Sequence, residues 1–181
     1  DWKFNAKYTI TLSEENMAKN LIFSASMSDK KPLLLNGIPV YSKYMELARA
    51  IEKIFGSEYS DIFAEPVIIV EDKNSIAKGY WYSSYIKKGK PLTAFLPEEK
   101  RYYLEKIKEI YDKIHSYNSE IYKEYHGISR EELSSLLDLA FEIPGEEYIF
   151  VENDKIVIAC WGFNKNNCLE NEKHIIRKII N

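Results

Sequence analysis

Cysteine, histidine and paired carboxylates are the side chains here that could carry chemistry. Cys160, Cys168 and His174 follow a C-x7-C-x5-H spacing. Zinc takes four ligands, commonly in closely spaced pairs, and this set lacks both the pairing and a fourth ligand. A nucleophilic cysteine needs a lowered pKa and an open approach. Cys160 instead sits in the apolar run "IVIACW", where a small buried hydrophobe is the simpler reading. His115 borders the apolar line of a helix, and His126 precedes Gly127, where a cation eases the end of a helix dipole. The acid pairs Glu14-Glu15, Glu98-Glu99, Glu131-Glu132 and Glu146-Glu147 resemble paired catalytic carboxylates. Three of them fall in expected first helical turns, where acids are favoured for structural reasons.

Phosphate-loop, dinucleotide, nucleophile-elbow and zincin patterns are all missing. "KKGKP" holds a Gly-Lys pair, but Pro91 stands where a phosphate loop needs the Ser or Thr hydroxyl that binds Mg²⁺. No catalytic, metal-binding or cofactor-binding residue is assigned, and no cofactor is expected.

The densest cluster of unusual residues is "KGYWYSSYIKKGK", 78–90, in which Tyr80, Trp81, Tyr82 and Tyr85 are interleaved with four lysines. Such a mixture can stack on bases and attract phosphates. It also fits a capped helix over 75–88, with Ile76, Ala77, Tyr80, Trp81, Ser84 and Tyr85 on one stripe and Gly89 and Pro91 as stops. On the helix reading the core takes Tyr80, Trp81 and Tyr85. Lys78, Tyr82, Lys87, Lys88 and Lys90 are left outside as a candidate interaction surface.

The elements that must position these residues read as a mixture. "FNAKYTITL" alternates as a strand, and Ser13 then caps a helix through Met17, Leu21 and Ile22. Asn36-Gly37 separates two short apolar runs and predicts a hairpin, because both central residues of a type I′ turn need positive φ. Pro39 makes the second strand of that hairpin short or an edge. Tyr44, Leu47, Ala48, Ile51, Ile54 and Phe55 recur at helical spacing and stop at Gly56. "PVIIV", Pro66–Val70, is apolar at every position after its proline and predicts a central strand covered on both faces. Tyr103, Ile107, Ile110, Ile114, Tyr117 and Ile121 predict one long helix over about 98–125. "SREE", Ser129–Glu132, is a capping box ahead of a helix burying Leu133, Leu136, Leu137, Ala140 and Phe141. A hairpin follows, Tyr148–Val151 and Ile156–Trp161, and then a final helix carrying Leu169, Ile175, Ile176 and Ile179.

The fold class is therefore α+β: a small, mostly antiparallel sheet with hairpins, covered by several helices. The 181 residues carry no linker or low-complexity stretch, which predicts one domain. A 45% hydrophobic, 29% charged composition is that of a globular chain rather than a disordered one. Net charge is −3, so there is no global positive field to hold nucleic acid. No apolar run reaches the ~20 residues of a membrane helix.

The chain begins at Asp1, and it is expected to be a piece of a longer bacterial protein. Without catalytic signatures, and with tyrosine available at the surface, the expectation is a non-enzymatic interaction or scaffolding module with a protein partner. An enzyme without a readable motif, and anion binding through 78–90, are the alternatives.

Overall fold

A computed structural model describes residues 18–72, 75–116 and 130–165. In chain order it contains β1 (Asn20–Ser26), β2 (Lys30–Pro32), β3 (Leu34–Leu35), β4 (Ile38–Pro39), α1 (Tyr44–Phe55), β5 (Glu65–Asp72) and β6 (Ser75–Ser83). Then follow β7 (Lys90–Pro91), α2 (Pro97–Ser116), α3 (Arg130–Ala140), β8 (Ile149–Glu152), β9 (Lys155–Ile158) and β10 (Phe163–Lys165). The mixed α+β class is as expected, and the ladders within the sheets are antiparallel. No described helix is long and apolar enough to cross a membrane.

Local chemistry made both short hairpins. β3 and β4 are joined by Asn36 and Gly37, at φ +52° and +80°. β8 and β9 are joined by Asn153 and Asp154, at φ +50° and +63°. Both are pairs of left-handed residues, the geometry that matches strand twist in a two-residue turn. α1 buries Tyr44, Leu47, Ala50, Ile51 and Phe55 along one face and ends at Gly56. α3 buries Leu133, Leu136, Leu137 and Ala140 as its spacing predicts.

The main sheet has the order β1-β6-β5. Segment 75–83 is its central strand, not the start of a helix over 75–88. Gly79, Trp81 and Ser83 point inward and are buried, while Tyr80 and Tyr82 point outward. Ladders on both sides, a long-range one to β1 and a hairpin to β5, outweigh the helical spacing, and aromatic residues suit a pleated surface better than a helix. Gly79, unfavourable in a helix, has a use in the strand. A Cβ built there would overlap Cη2 and Cζ3 of Trp81, so the indole lies over the bare backbone of its i−2 neighbour.

Three further expectations are corrected. Leu21 and Ile22 belong to strand β1, where Ile22 reaches the core and Leu21 does not, so no helix runs through them. β5, containing "PVIIV", is an edge strand. Its outward side chains Val67, Ile69 and Val70 are also half exposed, so the strand is not covered on both faces. The helix over about 98–125 is not borne out. α2 is described from Pro97 to Ser116, and the remainder of the expected span, 117–125, lies outside the described residues. The strand at "FNAKYTITL", Ser129 of the capping box, the Gly127 corner and the final helix lie outside the described residues.

The core is aromatic at two connected points. Trp161 donates its indole N–H to the Ala64 carbonyl at 2.7 Å and packs against Phe63 and Tyr44. Trp81 packs against Phe23 and Phe163, and Phe23 continues to Tyr148 and Phe150. These contacts tie the main sheet to β8 and β10. Beside them, Lys30 is buried against Asp29 at 2.7 Å and above the Tyr148 ring at 5.5 Å. Burial opposes its charge, but Asp29 and the Tyr148 oxygen prevail and hold Lys30 above the ordinary lysine range.

Candidate functional site

The former helix candidate, redrawn as β6, presents an exposed sheet face. Cross-strand partners share a face. One row runs Leu21, Tyr82, Glu65; the next Ser24, Tyr80, Val67; the third Ser26, Lys78, Ile69. Leu21, Val67, Ile69 and Val70 are 48%, 48%, 47% and 51% exposed, too open for core residues. Apolar side chains gathered on one face in this way are a mark of recognition surfaces. Lys78 lies 5.2 Å from the Tyr80 ring centre, and Lys19 is ion-paired with Glu65 at the opposite end.

Of the five residues assigned from sequence, Lys78 and Tyr82 lie on this face. Lys87 and Lys88 are exposed in the loop beyond β6, and Lys90 is in β7, its ammonium 4.1 Å from the Phe95 ring centre. From Lys78 to the end of β6 at Ser83 is about 16 Å at the ordinary strand rise. Lys78 is thus set apart from the three later lysines, whereas Tyr82, on the same face of β6, stands at the end of the strand where the loop to Lys87 and Lys88 begins.

That loop is held by two carboxylates. Asp61, itself buried, accepts the Ser83 hydroxyl and the backbone N–H groups of Ser84 and Tyr85, the latter two at 3.0 and 3.1 Å. Glu152 accepts the N–H groups of Lys87 at 2.8 Å and Gly89 at 3.4 Å. Those backbone donors hold the Glu152 carboxyl below its ordinary range.

Fixing the loop also fixes the Tyr85 ring, which forms one wall of a cleft of about 500 Å³. Its hydroxyl donates to the Ser57 carbonyl and lies 2.9 Å from Ser60 Oγ. Tyr59 also belongs to the lining, with Ile62, Ile110 and Ile156 as apolar surface. α2 supplies Lys106 and Glu109, and the β8–β9 turn supplies Asp154 and Lys155. Lys106 lies 3.7 Å from Asp154, which also accepts the Tyr103 hydroxyl at 3.4 Å. The Tyr102 oxygen and then Asp154 keep Lys106 above the ordinary lysine range.

The chain matches no family model, no curated protein and no solved structure.

Sequence reasoning missed the cleft. Its lining comes from four separated segments, and the sole local signal is Lys106, Glu109 and Ile110 at one-turn spacing on α2. Cys160 is not in a strand. It follows β9 in a turn at φ +51°, buried, with burial pushing its thiol pKa upward. A thiol so placed has neither access nor thiolate character. Cys168, His126 and His174 lie outside the described residues. Among the described residues no group of three or more His, Cys, Asp or Glu is arranged to hold a metal ion.

Proposed function

We propose that this domain is a non-enzymatic protein-interaction module that accepts an extended segment of a partner protein along β5. The observation that carries the reading is the combination of an eight-residue edge strand, unpaired on one side among the described residues, with the half-exposed Val67, Ile69 and Val70. An edge strand offers a row of backbone donors and acceptors, and natural proteins usually blunt such edges. Strand addition obtains affinity from those groups and specificity from alternate side chains.

Charge selects the occupant. β5 reads "EPVIIVED", acidic at both ends and apolar between. A second copy paired antiparallel would set acid against acid at both ends, which costs stability. A segment with an apolar centre and basic flanks is complementary in either direction. Anion binding through 78–90 is less favoured, since Lys78 lies by Tyr80 and Lys90 by Phe95, at opposite ends of the segment.

The test is amide NMR of the full chain with three nine-residue peptides: a Val/Thr-alternating strand flanked by lysines, the same strand flanked by glutamates, and the lysine version with a central proline. The reading expects shifts along β5 from the first peptide alone, weakened by salt and by Ile69→Lys. Equal binding of the acidic peptide, absence of shifts on β5, or a β5-mediated homodimer in sedimentation would overturn it.

A further inference from the structure

A partner strand laid along β5 needs main-chain donors and acceptors to pair with, and few positions of β5 supply both. Resting on the strand-addition reading above, we infer that the partner is registered on a single residue, Ile68, and that Pro66 ends the pairing on one side.

In an antiparallel ladder, alternate residues exchange hydrogen bonds with the neighbouring strand, and the residues between them turn their N–H and C=O groups the other way. The register sets Val67 opposite Tyr80, Ile68 opposite Gly79 and Ile69 opposite Lys78. Two observations fix the phase. Pro66 has no N–H, and a proline within a sheet sits where the missing donor faces away from the ladder. Ala64, two residues earlier and so in the same phase, also turns away from β6. Its N–H donates to the Ile158 carbonyl at 2.9 Å, and its C=O accepts the Trp161 indole N–H at 2.7 Å. Val67 and Ile69 therefore bond to β6, and Ala64, Pro66 and Ile68 face the free edge.

Those three positions are not equal. Ala64 is taken by the chain itself. Pro66 offers an acceptor and no donor, whereas Ile68 offers both. Beyond Ile69 the register with β6 shifts, twice before Asp72, and the regular row of groups ends. The pairing window from Pro66 to Ile69 is about 13 Å long at the ordinary strand rise. The side chains give the window two different faces. Val67 and Ile69 are half exposed on the open face, while Ile68 is part-buried on the inner one, with its Cδ1 beside Gly79. A partner residue opposite Ile68 points inward and is apolar, and its two neighbours lie beside Val67 and Ile69.

The test uses the full 181-residue chain and the lysine-flanked strand peptide. In hydrogen exchange without peptide, the Ile68 amide should exchange at least about tenfold faster than those of Val67 and Ile69, which are bonded to β6. Saturating peptide should slow Ile68 by about tenfold and leave the other two unchanged. Peptides N-methylated at one residue at a time should lose affinity about tenfold at positions two residues apart, the donors to the Pro66 and Ile68 carbonyls, and little in between. Pro66→Ala supplies the missing donor and should tighten binding about two- to tenfold.

Equal protection of all three amides in the free chain, an unchanged Ile68 amide in the complex, or an even loss across the methylated series would overturn the inference, while shifts along β5 would still support strand addition. Unchanged affinity in Pro66→Ala would remove Pro66 from it. The exchange and methylation arms use the unaltered protein, so they decide the matter even where Pro66→Ala fails to fold. Absence of any shift along β5 sinks both readings together.

Discussion

Trp81 lies over Gly79, two residues back on the inner face of β6, where any side chain would occupy the space of the indole. Gly79→Ala keeps the extended backbone and adds one methyl group against a fully buried ring. The expected loss is about 1–3 kcal/mol, the usual cost of overpacking a tight core. Urea unfolding followed by Trp fluorescence measures it. Unchanged stability would mean that the indole can lift away at no cost.

Gly37 makes the opposite case. It has φ +80°, and a Cβ there would meet nothing within 4 Å. Gly37→Ala therefore isolates backbone conformation from packing. An L-residue held in the left-handed region costs about 1–2 kcal/mol, and the same unfolding measurement should report a loss of that size. Together the two variants separate steric from torsional roles for glycine in one protein.

Asp61 organises the chain where β6 ends. One of its oxygens receives the Ser83 hydroxyl and two backbone N–H groups. Asp61→Ala removes the acceptor and leaves its three donors without their partner. Buried bonds to charged groups contribute roughly 1.5–3 kcal/mol, and a loss in that range is expected. Because the same bonds position Tyr85, its ring resonances should shift as well. A stability loss with an unmoved Tyr85 would separate the two roles.

Glu152 carries a pH signature. Backbone donors at Lys87 and Gly89 lower its folded pKa below the unfolded value. The ionised form is the one that favours folding. Its contribution is complete above the unfolded pKa and is lost as pH falls through the depressed folded value. Glu152→Gln should lower stability above the ordinary glutamate range, where the ionised form contributes fully, and flatten the acid side of the profile, so that the two proteins converge as pH falls. Denaturant midpoints measured from neutral pH down to about pH 3 test this.

On the open face, Ile69→Lys and Val67→Lys should change stability by no more than about 0.5 kcal/mol, because half-exposed positions away from packing tolerate substitution. The same variants should suppress binding of the basic-flanked strand. A large stability loss would show that this face is covered in solution.

Local chemistry made several features legible. Asn36-Gly37 and Asn153-Asp154 form tight turns because their residue types reach positive φ, whatever surrounds them. α1 and α3 follow from 3.6-residue spacing, a property of each helix by itself. What the sequence alone determined was therefore the α+β class, the turns and the buried stripes.

Tertiary structure decided which strand is central. Residues 76–85 satisfy a helical stripe, and the chain abandons it because β1, from a distant segment, and β5, the strand just before it, pair with the two edges of β6. Residues 66–70 of β5 are apolar, yet only the strand order puts them at an edge and only the absence of a covering layer leaves Val67, Ile69 and Val70 exposed among the described residues. The cleft likewise arises only when Tyr59, Tyr85, α2 and the β8–β9 turn meet. Pairing and cleft formation are non-local, so their free energy is absent from any short window of sequence.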